Sequence, residues 1–204
     1  MPRILFVSKP LGSPWNDSSK NLVRDLALGL SRYDALAFGR RGGPPSLGRA
    51  RLEPLHPRDR PGFRPGLREN GRVLARLLLG PRTDAWHFFF APNAKTSRIA
   101  RLLARTRRAR TVQTVCSVPA DGADLEQVLF GERVVVLSKH TERRFLAAGI
   151  APARLVRIAP AAPPLELPHA EQRRSTRREL GLHGERPLLL YPGDLEFGRA
   201  AALV

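Results

Sequence analysis

The chain has 204 residues, 42% apolar and 26% charged, which is enough for a packed core and excludes global disorder. Its 35 basic residues against 18 acidic ones give a net charge of +17, which points to an anionic partner, although only four of the 35 are lysine, the bias expected of a GC-rich genome. The single cysteine, Cys116, excludes a disulfide framework and a cysteine-rich zinc site, and no apolar run approaches the ~20 residues of a membrane span.

Met1-Pro2-Arg3 and the apolar run behind it are too short and polar for a signal peptide, so a soluble, cytoplasmic chain is expected. Ile4-Leu5-Phe6-Val7 reads as a strand buried on both faces, ending at Ser8. Lys9 to Pro14 reads as a loop, and Asp17 or Ser18 as the cap of a helix over 19–30 with Leu22, Leu26 and Leu30 on one face. Ala35 to Phe38 is a second strand. The Pro/Gly/Arg-rich stretch 39–65 is too polar and broken for core and reads as a mobile excursion that can contain one strand. Leu67, Leu74, Leu77 and Leu78 fall at helical spacing, Trp86 to Phe90 forms a strand, and 96–107 forms a helix. Thr111 to Cys116 is a strand, 124–129 a short helix and Val134 to Leu137 a strand. Ser138 then caps a helix over 141–148 stopped by Gly149, and Arg154 to Ile158 is the last strand of the series.

Strands alternating with helices imply βαβ crossovers and an α/β, doubly wound parallel sheet. Pro160 to Pro168 reads as a stiff linker, 173–180 as a helix closed by Gly181, and Leu188 to Tyr191 as a strand running into the turn at Gly193. The expected layout is a first domain over 1–160, a linker and connecting helix over 161–183, and the opening of a truncated second domain over 184–204.

Ligands of open α/β sheets bind beyond the carboxyl ends of the strands. The loops there carry Gly12, His87, Asn93, Cys116 and Ser138, the candidate cleft residues. Gly12 lacks the G-x-G-x-x-G context of a dinucleotide site, and no G-x-x-x-x-G-K-[ST] phosphate loop is present. For His87 the plain alternative is a satisfied core histidine, and for Ser138 a helix cap. Two arginine series, Arg64-Arg68-Arg72-Arg76 and Arg98-Arg101-Arg105-Arg108, run along helix flanks and suggest an anionic membrane surface or simply solvated faces. With no helix-turn-helix spacing, zinc-finger pattern or aromatic RNP-type strand, no nucleic-acid partner is expected.

The order of R-I-L-F-V-S with its Gly loop, D-A-W-H-F-F-F-A-P-N, T-V-Q-T-V-C-S, V-V-V-L-S-K-H-T, L-V-R-I-A-P, R-R-E-L-G-L and L-L-L-Y-P-G-D-L-E resembles the GT-B glycosyltransferases of the retaining, glycogen-synthase-like superfamily (family 4 type). The resemblance covers nearly the whole chain. It implies a Rossmann-like N-terminal half of a GT-B fold that binds the acceptor, a C-terminal half that binds the donor, and transfer between them without a metal or cofactor. It implies a UDP- or GDP-linked sugar as donor and a glycan or lipid-linked saccharide as acceptor. Gly12 would lie near donor phosphates or acceptor, His87 and Asn93 would border the acceptor cleft, and Ser138 would begin the helix after the next-to-last strand. Gly193 would begin the donor-phosphate loop, with Arg199 the cation nearby. Cys116 stands where many relatives have a histidine, and Asp194 where many have an arginine; the donor-contacting glutamate pair would fall beyond residue 204. The alternative reading is a non-catalytic α/β module that binds anionic membranes or polyanions through its arginine helices.

Overall fold

A computed structural model describes residues 1–15, 17–57, 65–89, 93–119, 122–160 and 167–182. Apolar runs and amphipathic segments alternate along the first of two units, Met1–Ala161. They form β1 (Arg3–Leu11), α1 (Ser18–Gly29), β2 (Asp34–Arg40), β3 (Ser46–Leu47), β4 (Ala50–His56), α2 (Leu67–Leu79), β5 (Ala85–Phe88), α3 (Ala94–Arg107), β6 (Arg110–Val115), α4 (Leu125–Val128), β7 (Arg133–Val136), α5 (Lys139–Ala147) and β8 (Leu155–Arg157). The strands make one eight-stranded sheet in the order β3-β4-β2-β1-β5-β6-β7-β8, parallel except for the β3–β4 hairpin. This is the doubly wound α/β architecture that the alternating pattern predicts.

Because side chains alternate across a strand, β1 feeds two cores. Leu5 and Val7 point to the face covered by Leu77 of α2 and Ala100 and Ala104 of α3, where Trp86 and Phe88 also lie. Phe6 points to the other face, with Phe89 against Val23 and Ala27 of α1. Val134 and Val136 pack with Phe145 of α5 in a third cluster. Each fully buried phenylalanine contributes on the order of 2 kcal/mol.

Four sequence expectations change here. The first strand does not stop at Ser8 but runs through Lys9 and Pro10 to Leu11, because its register against β2 shifts between Phe6 and Leu11 and a bulge accommodates the proline. Residues 39–57 of the next stretch are not an excursion: Gly48, at φ +56°, turns the β3–β4 hairpin, and β4 joins the sheet parallel to β2 with Ala50, Leu52 and His56 buried. The signal was Ala50, Leu52 and Leu55 among polar residues, too sparse to register as a strand. In α1 the buried residues are Lys20, Val23 and Ala27, while Leu22, Leu26 and Leu30 sit half-buried at the flank. In α2 only Leu77 of the four spaced leucines is buried, and Leu67 is 92% exposed.

The arginine series on α2 is likewise not one solvated flank. Arg76 turns inward and forks onto Glu53 of β4, with Nη2 2.7 Å from Oε1 and Nε on the other carboxylate oxygen. Arg68 is exposed, Arg72 half-buried, and Arg64 lies outside the described residues. Arg76→Gln should therefore destabilise the unit by about 2–3 kcal/mol, because it leaves Glu53 without its bidentate partner, whereas Arg68→Gln should stay within about 0.5 kcal/mol. Urea unfolding of the two variants checks the difference.

In the second unit, Ala162–Val204, the described residues form α6 (Ala170–Glu179), three residues earlier at its start than expected, with Gly181 at φ +68° ending it as predicted. The segment 183–204, including Leu188 to Tyr191, lies outside the described residues. No helix among the described residues is long and apolar enough to cross a membrane.

Candidate functional site

The sheet reverses direction at its centre. After β1 the chain builds outward through β2 to the β3–β4 edge, then returns with β5 on the opposite side of β1 and builds outward again to β8. The helices after β1 and β5 leave on opposite faces, and the crevice position in which such sheets usually hold ligands lies beyond the carboxyl ends of these two strands. Gly12 begins the loop on the β1 side at φ +148°. A β-carbon there would meet only Arg40 at 3.7 Å, so the backbone conformation, rather than lack of space, calls for glycine.

His87 is the third residue of β5 and shares a face with Phe6 and Phe89, its ring centroid 4.0 Å from that of Phe89. Its Nε2 lies 2.7 Å from Thr114 Oγ1 on the neighbouring β6. Withdrawal from water pushes its pKa down to about 4, so the imidazole is neutral at pH 7. The reading of His87 as a satisfied core histidine agrees with this geometry, with its polar edge directed along the sheet to Thr114.

Near Cys116, whose thiol feels both charges, stands an ion pair that the sequence did not reveal. Lys9, carried past Val7 by the extended β1, bonds through Nζ to Asp17 Oδ2. Asp17 also caps α1, accepting from Lys20 N at 3.0 Å, and takes the Ser19 hydroxyl at 2.5 Å. Burial raises the Asp17 pKa, but the bonds from Lys9, Ser19 and the Lys20 amide, with the Lys9 charge, outweigh it and hold the carboxyl at about 2. Of the two possible caps, Asp17 and Ser18, the structure uses Asp17; its pairing with Lys9 is hidden in the sequence because Lys9 falls in a Pro/Gly segment that reads as a loop. Lys20 is also buried, its Nζ donating to Pro14 O at 3.0 Å and lying 5.6 Å from the Trp15 ring centroid, and Arg24 lies over the same ring.

Cys116 follows β6 and packs half-buried against the Phe6–Phe89 cluster. Burial, together with the Asp17 carboxylate and despite Lys9, raises its thiol pKa to about 11. At pH 8 that leaves about a hundredfold less thiolate than an ordinary cysteine holds, so Cys116 should alkylate with iodoacetamide about a hundredfold more slowly than a free thiol. Timed mass spectrometry of the folded protein measures this rate, and denaturant should restore it.

Asn93 and Ser138 lie at the same edge as helix caps. Asn93 Oδ1 accepts from Thr96 N at 3.0 Å, and Ser138 Oγ accepts from Thr141 N at 3.1 Å. No described contact joins either to His87 or Cys116. Gly193 and Arg199 lie outside the described residues. Sequence reasoning also passed over Gln113, a fully buried amide of β6 that anchors the chain entering β7. Its Nε2 donates to Val128 O at 3.2 Å, and its Oε1 accepts from Phe130 N at 2.9 Å and Gly131 N at 3.3 Å. Among the described residues no group of three or more His, Cys, Asp or Glu side chains could hold a metal.

The carboxyl edge of the central strands thus carries a glycine turn, a neutral histidine on an aromatic bed and a lysine–aspartate pair, groups that can hydrogen-bond a polar ligand. No protein-family model and no curated protein sequence matches the chain. Solved structures match its fold. One is HepE (Alr3699) of Anabaena in complex with UDP and glucose, with TM-score 0.57 and 14% identity, covering 89% of this chain and 50% of that one. Another is HepE in complex with UDP-glucose, with TM-score 0.54 and 13% identity, covering 88% and 50%. This chain therefore spans about half the length of the HepE chains and shares the α/β fold of that half.

Proposed function

We propose that residues 1–160 form the acceptor-side half of a glycosyltransferase of the GT-B, retaining family 4-like kind, using a UDP- or GDP-linked sugar and a glycan or lipid-linked acceptor. The observation that carries the reading is the fold match over 89% of the chain to half of a protein solved with UDP-glucose and with UDP and glucose. The crevice at the β1–β5 reversal supports it, since the acceptor would sit there facing the donor-binding half. In such a transfer the acceptor hydroxyl attacks the anomeric carbon, its proton leaves, and the nucleoside diphosphate departs with the electrons of the broken C–O bond.

The crevice groups suit holding the acceptor better than moving its proton. A base is most effective with a pKa near the working pH, whereas His87 lies near 4 and Asp17 near 2. Asp17 stays ionised and can accept bonds from sugar hydroxyls while Lys9 and the helix start fix it in place. Asp17→Asn keeps a good helix cap and removes the charge. In the product of the complete gene it should raise the acceptor KM about tenfold, the loss of a charge-assisted hydrogen bond, and leave the donor KM within about twofold. A donor KM that rises while the acceptor KM stays put would assign the crevice to the wrong substrate.

A further inference from the structure

The opposite, amino-terminal edge of the sheet carries a second hollow, unrelated to the crevice. A cavity of about 700 Å³ lies between the end of α3, the starts of β6 and β7 and the short turn of 3-10 helix at Pro152–Arg154. Five arginines line it, Arg101, Arg105, Arg108, Arg110 and Arg154, against a single carboxylate, Glu132. Its volume falls in the range of small-molecule sites.

The five arginines divide into two kinds. Arg101 and Arg154 are braces: Arg101 Nη2 donates to Glu126 O at 2.8 Å and Leu129 O at 3.3 Å, and Arg154 Nε donates to Gly131 O at 2.9 Å while Nη1 reaches Glu126 Oε2 at 3.2 Å. Arg105, Arg108 and Arg110 are exposed, and their guanidiniums have no ion pair or hydrogen bond among the described residues. Arg108 stands at the left-handed C-cap of α3, φ +51°, where glycine is the favoured residue. Three uncompensated cations thus face one hollow, one of them at a backbone position that disfavours its side chain. Planar guanidinium forks match phosphate oxygens two at a time, and three of them spread around a hollow of this size can serve several phosphates at once. The floor between them includes the apolar side chains of Ala109 and Phe130.

We propose that this cavity binds a small molecule carrying two or more adjacent phosphate groups. The proposal is independent of the transferase reading. It is tested by calorimetric titration of the 204-residue protein with inorganic tripolyphosphate at low salt. One site per chain is expected, with affinity falling as salt rises. Arg105→Gln with Arg110→Gln should weaken binding at least about tenfold, and Arg68→Gln, an exposed arginine elsewhere on the unit, should change it less than about twofold. Arg108→Gly should weaken binding while holding or raising the melting temperature, because glycine suits the left-handed cap, which separates a ligand role from a structural one. Nucleoside triphosphate that binds as tripolyphosphate does identifies the phosphate chain alone as the ligand, and tighter binding identifies a nucleotide; either outcome fits the site. The proposal fails if Arg68→Gln weakens binding as much as the cavity variants, or if the cavity variants bind like wild type. It also fails if a single-stranded oligonucleotide binds more tightly than tripolyphosphate with the same arginine dependence, since the surface would then be a nucleic-acid face.

Discussion

Replacing Gln113 by leucine should destabilise the first unit by about 4 kcal/mol, the largest single effect expected in this protein. The side chain is fully buried and satisfies two backbone amides, Phe130 N and Gly131 N, and one carbonyl, Val128 O. Leucine fills much of the same volume but leaves both amides without an acceptor, at about 1–3 kcal/mol for each buried unsatisfied group. The Val128 carbonyl is spared because Ser97 Oγ also donates to it at 2.7 Å. The turn is closely packed against this strand: a β-carbon on Gly131 would lie 2.6 Å from Arg133 O. Urea unfolding monitored by far-UV circular dichroism reads the loss, and a change below about 1 kcal/mol would show that water or a rearranged loop replaces the amide.

Lowering the pH from 7 to 5 should remove about 2 kcal/mol of stability through His87 alone. Its folded pKa of about 4 lies below the ordinary 6.5, so between those values the unfolded chain takes up a proton that the folded protein refuses. Stability is intact above pH 6.5, falls as the pH drops toward 4, and changes no further from this group below that. His87→Gln, which keeps a polar group within reach of Thr114, should flatten the slope between pH 6.5 and 4 whatever its effect at pH 7. Asp17 adds a separate loss at lower pH: its folded pKa is depressed to about 2, so its contribution is present above 3.8 and disappears as the pH falls through 2. Chemical denaturation at pH 7, 6 and 5 distinguishes wild type from His87→Gln. An equal slope in both would place the acid sensitivity on another group.

The sheet was legible because its strands are continuous apolar runs, as at Val134 to Val136, and such runs have few other stable places than the middle of a parallel sheet. β4 was not, because an edge-proximal strand buries only Ala50, Leu52 and His56, and Arg51, Glu53 and Pro54 between them read as loop. Helix caps were legible residue by residue: Asp17 and Ser138 each accept from the amide three positions on. Long-range pairs were not. Arg76 looked like part of a solvated stripe because nothing local reports that Glu53, 23 residues earlier, will lie beneath it. Lys9–Asp17 and Gln113 with its loop were hidden for the same reason. A hydrogen bond between segments distant in sequence leaves no periodic trace.

If this chain supplies half of a nucleotide-sugar-dependent transferase, as proposed, the protein releases nucleoside diphosphate from an activated sugar. The product of the complete gene is incubated with UDP-glucose, and in parallel with GDP-linked hexoses, with and without a pool of glycan and lipid-linked saccharide acceptors, and the released nucleotide is quantified. Acceptor-stimulated release is expected, matched by an acceptor that gains one hexosyl residue in mass spectrometry. No release above the protein-free control with any donor and acceptor, from a folded protein, would contradict it.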